Sequence, residues 1–140
     1  SFDPAADGWR PMPRAGLPAG LGVPWGKKTE TGWLYGLWTV DDHTNISGVL
    51  HGGVLMTFAD HGLSMLAWEA AERAPCTTIQ LNTQFLDAVH PGEFLELRGE
   101  VVRRTRSLVF MRGIVGVRDL SGVRDVGAVD GLWRVLRPRS

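Results

Sequence analysis

From about Gly53 to Glu72 the chain carries its one long helical segment, and the rest of its apolar surface has to be buried around that segment. Leu55, Met56, Ala59, Leu63, Met65, Leu66, Ala67 and Ala70 are good or adequate helix formers, with no proline until Pro75. Beyond Pro75 the chain alternates with period two. Ile79, Leu81 and Phe85 oppose Thr78, Gln80, Asn82 and Gln84, and Leu95, Leu97 and Val101 oppose Glu96, Arg98 and Glu100. Val109, Met111, Val115 and Val117 share a face, as do Val129, Trp133 and Val135. The breakers His90-Pro91-Gly92, Thr105-Arg106-Ser107 and Asp119-Leu120-Ser121-Gly122 separate the runs. Ahead of the helix, residues 33–40 are aromatic and β-branched, as a strand prefers, and a polar loop comes next at Asp41-Asp42-His43-Thr44-Asn45. The order is strand, helix, four strands, each strand with one apolar face. That pattern predicts an α+β domain whose five-stranded antiparallel sheet curls around one central helix.

Residues 1–32 hold five of the eight prolines, so they read as a largely irregular arm, with room for a short helical turn, ahead of a domain at 33–140. The 15 basic and 15 acidic residues cancel, which leaves no overall field to attract nucleic acid or an anionic membrane. A single cysteine, Cys76, forms no disulfide within the chain and suits a reducing compartment. No apolar run reaches the roughly 18 residues of a membrane span, and Ser1-Phe2-Asp3-Pro4 lacks the basic-then-apolar pattern of a secretory signal. The expected location is the cytoplasm.

The helix is apolar nearly all round, so its exceptions carry information. Steps of three and four place Thr57, Asp60 and Ser64 on one line, with His61 beside them. A carboxylate in such surroundings has to be paired, hydrogen-bonded or shifted in pKa, and spacing alone divides evenly between a plain salt bridge and a working group. The helix start tips the balance. Gly48, Gly52 and Gly53 surround His51, where unpaired backbone N–H groups and the helix dipole face a backbone that a ligand can approach closely. Such donors suit a carbonyl oxygen that gains charge as its carbon is attacked. Asp60 lies about 10 Å further along the helix from Gly53, too far for both to act on one carbonyl. Pairing the glycine turn of one subunit with the aspartate of another resolves the distance.

The segment from Asn45 through His51-Gly52-Gly53 to Asp60 resembles the hotdog-fold acyl-CoA thioesterases of the PaaI-like, phenylacetic-acid-pathway type. That family carries an Asn, a nearby Gly, an HGG triplet and an acidic residue nine positions after the His. Leu86-Asp87-Ala88-Val89-His90-Pro91-Gly92 and Val101-Val102-Arg103-Arg104 look like later parts of the same pattern, and the resemblance spans about residues 33–136. It implies a hotdog fold and hydrolysis of an acyl-CoA to acid and CoA, with no metal and no cofactor beyond the coenzyme A of the substrate. The N–H of Gly52 or Gly53 would polarise the thioester carbonyl, and Asp60 of the partner subunit would act as general base or nucleophile. Asn45 would orient water or carbonyl, and the family's active-site hydroxyl falls at Ser64 or Thr78. The resemblance further implies a homodimer with sheets joined edge to edge, or a dimer of dimers.

Weaker signals remain. His51 reads as part of the turn at the substrate site rather than as the base. Arg103, Arg104 and Arg106 cluster at a hairpin, where a solvated turn competes with contact to CoA phosphates. Cys76 has no local signature of a nucleophile, and His43, His51, Asp60, His61 and His90 lack metal-ligand spacing. Two rival functions share the fold: an acyl-CoA-sensing module without turnover, and an enoyl-CoA hydratase, whose Asp–His loop pair has no match in the chain.

Overall fold

A computed structural model describes residues 1–13 and 16–137. It contains strands β1 (Arg10–Pro11), β2 (Trp25–Thr29) and β3 (Gly32–Trp38), then helix α1 (Gly52–Ala70). Four long strands come after it: β4 (Cys76–Phe85), β5 (Phe94–Arg104), β6 (Leu108–Asp119) and β7 (Gly122–Val135). All seven strands form one antiparallel sheet in the order β1-β2-β3-β5-β6-β7-β4. The chain enters α1 from β3 and leaves it into β4, on the far side of the sheet, so the helix has to cross the inner face. Leu55, Phe58, Leu63 and Ala67 of α1 bury themselves there against Tyr35, Leu97, Met111, Val115 and Trp133. The approach is close at Gly62, where a β-carbon would run into the side chain of Leu97. This is the hotdog arrangement that the alternating strands and lone helix require. No described helix is long and apolar enough to cross a membrane.

The sheet has seven strands rather than the five expected. The two extra strands come from the proline-rich stretch read as irregular, which also supplies a 3-10 turn at Ala19–Leu21. The physical reason lies on the outer face. Trp9 is 0% exposed and packs edge-on to Phe94 at 5.1 Å between ring centres, with Trp38 and Phe2 closing around the same ring. Fully burying an aromatic of this kind contributes about 1.5–3 kcal/mol, enough to hold a proline-rich segment down on the sheet. Glu96 was expected on a solvent face and is instead 1% exposed. Its carboxylate accepts three bonds from the Arg118 guanidinium, at 3.1–3.3 Å, which supply the pairing a buried charge requires. At this end the sheet is covered on both sides.

Candidate active site

The polar loop before the helix folds back on itself. Thr44 pairs with Leu50, Asn45 N–H donates to the Val49 carbonyl at 2.8 Å, and Gly48 supplies the left-handed turn at φ 78°. Asn45 Oδ1 accepts from the N–H of Ser47 at 2.9 Å, so the side-chain oxygen is spent on the turn and its NH₂ is left to face outward. His51 then caps α1: its Nδ1 accepts from Gly53 N–H at 3.0 Å. This cap separates the two glycines. Gly53 N–H is taken, whereas Gly52 N–H has no partner among the described residues. Gly52 lines a cavity of about 350 Å³ together with Leu50, Leu55, Phe85, Leu86, Asp87 and Val89. His51 is thus a cap whose ring takes the N–H of Gly53 and leaves that of Gly52 without a partner among the described residues.

Asp60 is half-buried further along the helix, and Thr78 Oγ1 donates to its Oδ1 at 2.6 Å. Simple alternation put Thr78 on the polar face of its strand with Gln80, Asn82 and Gln84. The structure turns it inward, because the register of β4 against β7 slips between Thr78 and Gln80. Thr78 lies opposite Trp133 and Gln80 opposite Leu132, so Ile79 is an extra residue that shifts the phase and stands 47% exposed. Ser64, the other candidate hydroxyl, is held from the same side: its Oγ accepts from Trp133 Nε1 at 2.9 Å. The structure therefore brings Thr78 to Asp60 and ties Ser64 to a core tryptophan. Asp60 Oδ2 has no hydrogen-bond partner among the described residues.

Within one chain the two halves stay apart. Eight residues of helix separate Gly52 from Asp60, about 12 Å of rise. Arg103, Arg104 and Arg106 gather at the other end of α1 from Gly52, where Arg104 donates to the carbonyl of Ala70. His61, next to Asp60, has its pKa pushed below the ordinary value by burial, partly opposed by the Asp60 charge, and its Nε2 is buried without a partner. Burial pushes the Cys76 thiol up, against the pull of Arg104, so it is a weak thiolate former. Among the described residues no group of three or more His, Cys, Asp or Glu could hold a metal ion. Sequence reasoning missed Phe85 as part of the site and missed the phase shift at Ile79. The first sat in an ordinary alternation, and the second leaves no mark in the residue types.

The thioesterase superfamily model matches residues 47–119, from the loop before the glycine turn to the end of β6, which is more than half of the chain. The chain belongs to the thioesterase superfamily. Among curated relatives, acyl-coenzyme A thioesterase 13 of Homo sapiens is 31% identical over 71 residues, covering 50% of this chain and 50% of that protein. The Mus musculus protein of the same name is 30% identical over the same length and shares. The chain thus spans about half the length of the curated relatives it matches. Solved structures share the fold at lower identity. A hexameric thioesterase from Yersinia pestis has a TM-score of 0.68 at 21% identity, covering 75% of this chain and 90% of that one. The E. coli PaaI protein from the phenylacetic acid degradation operon has a TM-score of 0.64 at 13% identity, covering 75% and 72%. In this thioesterase-superfamily chain, Gly52 and Asp60 both fall inside the matched segment.

Proposed function

We propose that the chain hydrolyses acyl-CoA thioesters, with Gly52 and Asp60 drawn from two subunits of a homo-oligomer. One observation carries this reading: the cap leaves the N–H of Gly52 without a partner, on a residue that lines a cavity, while a carboxylate is fixed by Thr78 with one oxygen unused. The thioester carbonyl oxygen accepts from Gly52 N–H, and the acyl group enters the cavity. Asp60 of the partner subunit takes a proton from water, the hydroxide forms the new C–O bond, and the C–S bond breaks. The CoA thiolate leaves with the proton. Direct attack by the carboxylate, with a mixed anhydride then hydrolysed by water, uses the same placement. Asn45 offers its NH₂ to the water or the carbonyl, and the arginines 103, 104 and 106 offer donors to CoA phosphates. Curated relatives named acyl-coenzyme A thioesterase support the reaction class, and a Streptococcus pneumoniae hypothetical thioesterase protein of this fold was crystallised with coenzyme A.

Thiol release measured over short, long and aromatic acyl-CoAs tests the reading, with Asp60→Asn as the paired variant. Thr78 can still donate to the Asn Oδ1, so the fold is expected to hold while turnover falls by about 10²–10⁴, the contribution of a positioned base. Normal turnover by Asp60→Asn, or binding of acyl-CoA by the wild type without any thiol release, sinks the proposal.

A further inference from the structure

We propose that Arg124 is a positioning residue for the acyl group: by gripping the segment 86–93 at both ends, it holds one wall of the cavity beside Gly52 in place and so sets which acyl groups that cavity admits. The inference rests on the proposed reading of that cavity as the acyl site, and it names the residue that makes the site selective.

The cavity has two walls of unequal stiffness. One is formed by Leu50, Gly52 and Leu55, from the glycine turn and the start of α1. Leu55 is 3% exposed, and the helix that carries it fixes it in the core. The other wall is the continuous run from Phe85 to Val89, where the chain leaves the end of β4. From there to the start of β5, residues 86–93 belong to no helix or strand. A stretch without a ladder loses backbone entropy when it is held in one place, and loops of this kind are ordinarily mobile. Something has to hold this one against the cavity.

Arg124 does so. It lies on β7 opposite the buried Val117, so its side chain leaves from the inner face of the sheet. Its Nη1 donates to Asp87 Oδ2 at 2.7 Å and to the Ala88 carbonyl at 3.0 Å, and its Nη2 donates to Glu93 Oε2 at 2.9 Å. Asp87 and Glu93 stand near opposite ends of the segment, and both are drawn to one planar group whose donors point in fixed directions. Glu93 passes the grip inward, since its Oε1 accepts from His90 N–H at 2.7 Å. Between the two ends lies Val89, 2% exposed, whose carbonyl accepts from Leu50 N–H at 2.7 Å, two residues before the proposed donor. The wall and the glycine turn thus brace each other, and the arginine closes the segment from outside. Without the cation two carboxylates would be left beside each other, and their repulsion would draw the segment away from the helix and widen the cavity.

The side chains of Arg124, Asp87 and Glu93 are 42%, 53% and 29% exposed, so these pairs add little to global stability, and selectivity is the readout. A firm apolar wall discriminates by about 10-fold or more for each methylene that does not fit. In thiol release over a graded series of straight-chain and aromatic acyl-CoAs, the wild type should therefore show an optimum. Arg124→Met should bring neighbouring members of the series within about threefold of one another in kcat/KM, mainly through KM, with Tm little changed. Amide exchange over residues 86–93 should quicken in the same variant while α1 stays protected. Arg98→Met breaks a pair of similar exposure, Arg98–Asp125 at 3.1 Å, whose members do not line the cavity, and should leave the profile as it was. If Arg124→Met does not fold, Glu93→Gln loosens one end alone and should shift the profile the same way by a smaller factor. A wild type that does not discriminate among acyl groups, or an equal flattening in Arg98→Met, overturns the proposal. An unchanged profile in a folded variant beside a selective wild type retires the role of Arg124 alone. Failure of the wild type to release thiol from any acyl-CoA retires the thioesterase reading, and the exchange rates at 86–93 then still decide whether Arg124 holds the segment.

Discussion

A backbone N–H is ordinarily beyond the reach of mutagenesis, but Gly52 is the first residue of α1, and that position can give up its hydrogen. Proline is favoured at the first helical turn, because the N–H it lacks has no partner inside the helix. The residue before it must be extended, and His51 already is, at φ −63° and ψ 132°. Gly52→Pro should therefore fold, with the His51 ring still capping Gly53. The added β-carbon lies 3.1 Å from the Phe85 ring, which is half-exposed and free to give. Gly52→Ala brings the same β-carbon and keeps the donor, so the two variants differ by the N–H and by the ring carbons that replace it. Charge builds on the carbonyl oxygen only as the reaction proceeds, so the loss should fall on kcat rather than KM. Relative to Gly52→Ala, Gly52→Pro should lose about 10²–10³ in kcat, or about 2.7–4 kcal/mol of transition-state stabilisation. Thiol release gives the rates, and thermal melts confirm that both variants are folded. Turnover by folded Gly52→Pro within threefold of Gly52→Ala refutes the assignment of the donor.

The two candidate hydroxyls, Thr78 on β4 and Ser64 on α1, should separate by readout. Thr78→Val removes the 2.6 Å bond to Asp60 and should cost about tenfold to a hundredfold in kcat with a small change in Tm, as for a bond to a charged group worth about 1.5–3 kcal/mol. Ser64→Ala strands the indole N–H of fully buried Trp133 and should lower stability by about 1–3 kcal/mol, seen in the melt, with kcat nearly unchanged. His61 makes stability pH-dependent with a definite sign. Burial lowers its pKa in the folded chain, so as pH falls through the ordinary value of 6.5 the unfolded chain takes up the proton first and stability drops, whereas above that window the residue has no effect. His61→Gln should flatten the fall of Tm with acid, and an unchanged slope would remove His61 as the cause. Arg118→Met leaves the Glu96 carboxylate buried without its partner and should cost about 3 kcal/mol, read by denaturant midpoint, with Glu96→Gln in the same background restoring part of it.

The helix and the four long strands were legible because each alternation persists over many residues and each break is marked by Pro, Gly or a run of turn formers. The first two strands were hidden. Trp25–Thr29 contains Gly26 and two lysines and lies beside Pro24, so its local preference argues against a strand. It forms because Tyr35 and Trp33 of β3 offer it a ladder and because the aromatic layer around Phe94 pins the segment from outside. A trace of that second layer was present. Phe94, Leu95, Glu96 and Leu97 are buried in succession, and a strand buried on both faces has no reason to alternate. Only Glu96, polar by type, disguised it. At the site, the glycine turn and Asp60 could be read from type and spacing. The choice between Gly52 and Gly53 could not, since it depends on where the His51 ring points. The hydroxyl beside Asp60 depended on a phase that residue types do not record.

That phase has a consequence for how β4 tolerates change in length. A sheet assigns faces by rungs shared with its neighbour, whereas a pattern search assigns them by position along the chain, and Ile79 occupies a place without a rung of its own. Excising Ile79 would leave Thr78 opposite Trp133 and still aimed at the carboxylate, in a strand that now alternates without interruption. A homologue one residue shorter here therefore keeps its hydroxyl on the inner face, although a gapless alignment would place that hydroxyl outside.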